Sequence, residues 1–217
     1  YSPSRIAWME EGGVVVVTNL RGGTEHGEEW HQQGMLGNKQ QGFDDFYACA
    51  EHLIQIGVTT PGQLGIRGGS NGGLLTAVAM QQRPDLFGAV ISHVPVTDMY
   101  RYQHFTAGRF WTVEYGDAEK DPDAFKYLSG YSPLHNVEPG VVYPPLLVLT
   151  AETDDRVVPM HSHKLIAELQ YAAGGRSENP ILERIETRAG HGLGKPTSKL
   201  IDEAADVYGF LLHHLGG

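Results

Sequence analysis

The chain has 217 residues, 41% of them hydrophobic and 19% charged, with 26 acidic against 16 basic side chains and a formal net charge of -10. That length supports one domain with a proper core, no break in composition argues for two, and no apolar run approaches the roughly 18 residues of a membrane span. The acidic balance works against nucleic acid and anionic membrane surfaces as partners, and a single cysteine, Cys49, excludes an internal disulfide framework.

In chain order, Tyr1 rather than a methionine opens the sequence and reads as a cut point, so the lack of a leader says nothing about compartment. GGVVVVTNL at 12–20 reads as a buried strand. GFDDFYACAEHLIQIG at 42–57 carries apolar residues at 43, 46, 47, 50, 53 and 54, a helical period that stops at Gly57 and makes Cys49 a small buried residue. QLGIRG (63–68) is a short strand, NGGLLTAVAMQQRP (71–84) a helix ended by Pro84, and FGAVISHVP (87–95) the next strand. The stretch 98–143 shows no strand pattern and reads as a helical excursion. A strand from about Leu146 to Thr150 leads into an acidic loop, 158–175 is a helix with a glycine stop, 181–192 is a strand running into a loop, and 198–215 is the closing helix. Strand alternating with helix implies an α/β fold, a mostly parallel sheet with helices on both faces.

Four glycines, at 68, 69, 72 and 73, surround one hydroxyl at Ser70. Gly68-Gly69-Ser70-Asn71-Gly72 meets G-x-S-x-G, in which a strained strand-to-helix turn exposes the serine and small neighbours let backbones approach. The helix start aims the Asn71 N–H and a positive dipole end at a developing oxyanion. A phosphate cradle is the other use of such a turn, but the P-loop lysine and G-x-G-x-x-G are both missing here. A serine hydroxyl needs a base, and the base needs an orienting acid. In the chain order serine, acid, histidine, the loops after the later strands supply Asp154 or Asp155 and then His191; pattern alone leaves the choice between the two aspartates open.

Other candidates read more plainly. His161 and His163 are two apart on a helix and point away from each other, which disfavours a metal pair. His213 and His214 suit a solvent-facing or capping role, and Asp44 and Asp45 suit a helix start. His26 and His31, in RGGTEHGEEWH, are able to line a site but lack the strand-then-loop context.

RGGTEHGEEWH (21–31), NKQQGFDDF (38–46), GGSNGGLL (68–75), QRPDLFGAVI (82–91), YSPLHNV (131–137), DDRVVP (154–159) and AGHGLGKP (189–196) together resemble the peptidase domain of the prolyl oligopeptidase family. Oligopeptidase B, dipeptidyl peptidase IV and acylaminoacyl peptidase share the elbow and histidine loop but resemble these motifs less closely. The resemblance implies an α/β-hydrolase fold and a serine endopeptidase that cleaves short peptides after proline through an acyl-enzyme, with no metal or organic cofactor. It implies Ser70 as nucleophile, His191 as general base, Asp154 as orienting acid and Asn71 as a backbone oxyanion donor. Arg156 matches an arginine that bonds the carbonyl one residue before the proline. Trp111 matches the indole that stacks on the proline ring, and Tyr115, Val96 and Val157 match further walls. A flat ring without an N–H suits an aromatic face and branched walls better than a charged slot. Without the resemblance, Trp111 reads equally as core and Arg156 as a surface partner of Asp155.

Two departures stand beside it. The family's second oxyanion donor, a tyrosine on a YGGF-like stretch, has no counterpart, since Tyr1 aligns downstream of it. The opening strands of the sheet and the gating β-propeller also have none, so the chain is expected to be the C-terminal portion of a much longer protein, with an exposed sheet edge. Expected partners are short proline-containing peptides and that propeller, in the cytoplasm, with the periplasm left open. The rival readings are a sister peptidase, an esterase of the same fold, and a non-catalytic binding module derived from such an enzyme.

Overall fold

A computed structural model of the protein describes residues 2–174, 179–192 and 195–216. Its frame is a four-stranded sheet in which β1 (Gly65–Gly69), β2 (Ala89–His93), β3 (Leu146–Ala151) and β4 (Ile181–Glu186) lie in chain order, every pair parallel. Parallel neighbours require crossovers, and helices from these connections and from the two ends of the chain cover both faces. These are α1 (Pro3–Glu10), α2 (Glu28–Gln32), α3 (Lys39–Gln55), α4 (Asn71–Gln82), α5 (Thr112–Tyr115), α6 (Pro122–Ser129), α7 (Met160–Ala173) and α8 (Thr197–His214).

The strand period of two sorts the core. Ile66, Val90, Leu146 and Val148 point to one side, where they meet Phe43 of α3, Leu74 of α4 and Leu165 of α7. Ala89, Ile91, Leu147 and Leu149 point to the other and pack on Val207 and Leu211 of α8. Burial of a leucine such as Leu146 contributes roughly 1.5–3 kcal/mol. All the parallel strands therefore end on one edge of the sheet, and the loops that follow β1, β3 and β4 converge there. The excursion is helical as expected, built from α5, α6 and short 3-10 turns. No helix among the described residues is long and apolar enough to cross a membrane.

Three local expectations are corrected. Residues 12–20 are not a buried strand: they belong to no ladder among the described residues, and Val14 and Val17 are 67% and 65% exposed. Branched side chains favour extended backbone, but burial needs a bonded neighbour and a covering layer. The segment instead lines a groove of about 780 Å³ together with Gly65 and Arg67 of β1, whose outer edge pairs with no strand among the described residues. Second, α3 starts at Lys39, so Asp44 and Asp45 do not open it. Asp45 accepts from Arg21 Nε at 2.8 Å and the Arg21 backbone N–H at 3.0 Å, which ties down the loop that follows residue 20; the Arg21 hydrogen bond holds the Asp45 carboxyl below its usual range. Third, Cys49 is only half-buried, and its thiol is pushed up by burial and then by Asp45. Helix α1 had no counterpart in the sequence reading; its Trp8 stacks on Tyr208 of α8 at 5.6 Å.

Candidate active site

Ser70 sits between β1 and α4 with φ +57° and ψ -114°, a conformation that costs energy for any residue with a Cβ. Its N–H donates to His93 O at 2.9 Å and its carbonyl accepts from Leu74 N–H at 3.0 Å, so both ends of the residue are pinned. Two of the flanking glycines are dictated by close approach. A Cβ on Gly68 would stand 2.1 Å from Gly72 O, and one on Gly73 would stand 2.6 Å from His93 O, whereas one on Gly72 meets nothing. Gly68→Ala is therefore expected to destabilise the full-length protein by about 1–3 kcal/mol, and Gly72→Ala not to destabilise it; thermal unfolding of the two variants checks this.

Asn71 is the first residue of α4, and its N–H has no acceptor among the described residues. It points where the positive end of the helix favours negative charge. Beside it lies a hollow of about 200 Å³ lined by Gly72, Lys39, Phe43 and the 20–25 segment. The loop read as able to line a site thus reaches it through Arg21, Gly22, Gly23 and Glu25 rather than through its histidines. His26 packs edge-on to Trp30 and His31 bonds Glu114.

Asp154 follows β3 and is 3% exposed. Its Oδ1 accepts the backbone N–H groups of Arg156 and Val157, both at 2.9 Å, and its Oδ2 lies 2.7 Å from His191 Nδ1. One oxygen is clamped by the chain, so the other has a fixed aim. Asp155 is exposed, which separates the two aspartates that pattern left unresolved. A carboxylate oxygen at Nδ1 places the ring proton there and leaves Nε2 as an acceptor. The loop after β4 that carries His191 is fastened to the loop after β3 through Ala189 O, which accepts from the Thr153 hydroxyl at 2.8 Å and its N–H at 3.2 Å. Neither Ser70 Oγ nor His191 Nε2 has a hydrogen-bond partner among the described residues, so the link between them is open in this structure.

Of the wall residues, Val96, Tyr115 and Val157 are buried in one cluster against which the half-buried Trp111 packs. Tyr102 orders the aromatic pair, nearly parallel to Trp111 at 6.4 Å and edge-on to Tyr115 at 5.4 Å. The Tyr115 hydroxyl donates to Asn71 Oδ1 at 2.8 Å, which ties the excursion directly to the serine elbow. Arg156 is exposed, and its guanidinium makes no hydrogen bond or ion pair among the described residues; the surface pair with Asp155 is not formed. Tyr1 lies outside the described residues.

Sequence reasoning missed two supports. Glu114 of α5 binds Lys39 Nζ and His31 Nε2, each at 2.9 Å, and so joins α3 and α2 to the segment that carries Trp111 and Tyr115; Glu114 raises the His31 ring above its ordinary value. The other is His161. It is 1% exposed, and its Nδ1 accepts the backbone N–H groups of Thr97 at 3.3 Å and Asp98 at 3.1 Å, while His163 turns outward to Glu183. The two histidines point apart as expected.

Burial pushes His161 down to about 4 and His93 down to about 3, both from an ordinary 6.5. The native state then binds fewer protons than the unfolded chain, so stability is full above pH 6.5 and is lost as pH falls towards 4 and 3. The unfolding midpoint is expected to drop across that window, and His161→Gln, whose amide oxygen keeps an acceptor, to shrink the slope. A pH series of thermal melts reads both.

Three comparisons extend the geometry. A family model described as the prolyl oligopeptidase family matches residues 1–217. The prolyl endopeptidase of Elizabethkingia miricola is 46% identical over 216 residues, which is all of this chain and 30% of that protein. Among solved structures, one from a study of two prolyl endopeptidases superposes with a TM-score of 0.95 at 50% identity, over 99% of this chain and 31% of the other. A post-proline cleaving enzyme from Rickettsia typhi gives 0.84 at 39% identity, over 91% and 28%. The chain thus spans about three-tenths of the length of the relatives it matches.

Proposed function

This chain belongs to the prolyl oligopeptidase family and has its α/β-hydrolase fold, and from that premise we propose that it carries the active site of a serine endopeptidase that hydrolyses short peptides on the carboxyl side of proline. The observation that supports this most is the clamped Asp154 at 2.7 Å from His191 Nδ1, on the same sheet edge as the strained Ser70.

His191 Nε2 takes the Ser70 proton as Oγ attacks the carbonyl carbon of the proline residue. The Asn71 N–H stabilises the oxyanion, and the imidazolium passes its proton to the departing amine nitrogen as the C–N bond breaks. A water that gives its proton to His191 then attacks the acyl carbon, and the imidazolium returns that proton to Oγ as the ester C–O bond breaks and Ser70 is released. Asp154 holds the ring and offsets its charge. The proline ring lies on Trp111, backed by Tyr115, Val96 and Val157, and the unpaired guanidinium of Arg156 donates to the carbonyl one residue before it. Residues 1–217 act as one peptidase domain of a longer polypeptide with a β-propeller, a reading supported by the three-tenths share of its relatives' length that the chain spans. No step calls on a metal or cofactor.

A fluorophosphonate probe is expected to modify the full-length protein at Ser70, as read by peptide mass spectrometry; an adduct elsewhere, or none, overturns the assignment. Trp111→Ala is expected to label normally and to lose about tenfold in proline-over-alanine discrimination, about 1.4 kcal/mol. Unchanged discrimination would remove Trp111 from the pocket.

A further inference from the structure

We propose that Glu203 of α8, held between Lys195 and His93, is a positioning residue that sets the His191 loop against the Ser70 elbow. The inference rests on the peptidase reading above. Thr153 fastens that loop on its β3 side, and Lys199 of α8 donates to Thr187 O where the loop leaves β4. On the other side stands Lys195, whose side chain is 10% exposed and whose Nζ lies 2.5 Å from Glu203 Oε2. The other Glu203 oxygen is 3.7 Å from His93 Nδ1, too long for a hydrogen bond but close enough for the carboxylate charge to face the ring N–H. His93 Nε2 accepts from Arg67 Nε at 3.0 Å, so the neutral ring carries its proton on Nδ1, the atom that faces Glu203. The carbonyl of the same His93 accepts the Ser70 N–H at 2.9 Å.

One carboxylate therefore pairs with Lys195, near the end of the histidine loop, and faces the ring of the residue that pins the nucleophile's backbone. Glu203 is 14% exposed at its side chain, and neither it nor Lys195 is well placed to find water as a substitute partner. Loss of this link leaves the substrate pocket intact but lets the base drift from Ser70, a displacement that costs rate rather than binding.

The test measures peptide hydrolysis by the full-length protein and its Lys195→Met, Glu203→Gln and Lys195→Arg variants, each with a thermal melt. Lys195→Met and Glu203→Gln are expected to lose about ten- to a hundredfold in kcat with KM unchanged and to react more slowly with a fluorophosphonate, whereas Lys195→Arg, which keeps a cation on Glu203 and leaves the His93 side untouched, is expected to keep most of the activity. A kcat near that of the unaltered protein in both Lys195→Met and Glu203→Gln overturns the proposal. So does a loss of kcat that tracks the unfolding midpoint, or one that Lys195→Arg shares in full. If Glu203→Gln does not fold, Lys195→Met and Lys195→Arg decide the matter alone. Ser70→Ala runs alongside: if it still cleaves, the peptidase reading has failed, whereas inactive Ser70→Ala with fully active Glu203→Gln sinks only the positioning role.

Discussion

Replacing Ser70 with alanine is expected to lower kcat by about six orders of magnitude while the protein stays folded. The backbone at this position already bears the strain of φ +57° with a Cβ present, and alanine keeps that Cβ. The hydrogen bonds that pin the residue, Ser70 N–H to His93 O and Leu74 N–H to Ser70 O, are both backbone bonds and survive the change. Only the hydroxyl is lost, and it has no partner to leave unsatisfied among the described residues. The thermal midpoint should therefore move little while turnover and fluorophosphonate labelling both vanish. Substantial residual turnover, in protein shown by mass spectrometry to be free of wild-type carry-over, would place the nucleophile elsewhere.

Asp154→Asn is expected to cost about four orders of magnitude, by a route that the local geometry specifies. Oδ1 is an acceptor for two backbone donors, the N–H groups of Arg156 and Val157. An asparagine amide keeps its oxygen there, because turning the NH₂ toward two N–H groups would set donors against donors. The NH₂ then faces His191 Nδ1 and donates to it. The imidazole must carry its proton on Nε2, and a protonated Nε2 cannot accept the Ser70 hydroxyl proton. The loss should fall on kcat, with KM and the melting profile little changed. Activity within about tenfold of the unaltered protein would mean that Asp154 only packs against the ring.

Much of this was legible because it is local. Gly57 and Pro84 punctuate the chain, alternation marks the strands, and the glycine-flanked serine falls between a strand and a helix whose bounds, Asn71–Gln82, match the sequence reading. The order serine, acid, histidine places three loops on one edge of a parallel sheet by topology alone. Illegible were the features set by partners far along the chain. VVVV at 14–17 has strand chemistry, yet pairing decides whether a strand exists, and no ladder among the described residues includes it. Lys39 stands in the polar run NKQQ, which carries no sign of burial, yet it is buried on Glu114, 75 residues away. Lys195 and Glu203 carry no periodic signal for their pairing, and nothing in the pattern links Glu203 to His93, which lies on β2. Choosing Asp154 over Asp155 needed either a family likeness or the backbone clamp that only the folded loop supplies.

The measurement that bears most directly on the central claim is the comparison of kcat/KM for blocked chromogenic dipeptides ending in proline, alanine and arginine, made on the full-length protein. Proline is expected to be favoured by tenfold or more over both others, about 1.4 kcal/mol or more of differential transition-state binding. Equal rates for the three, or a preference for arginine, would contradict a proline pocket built on Trp111.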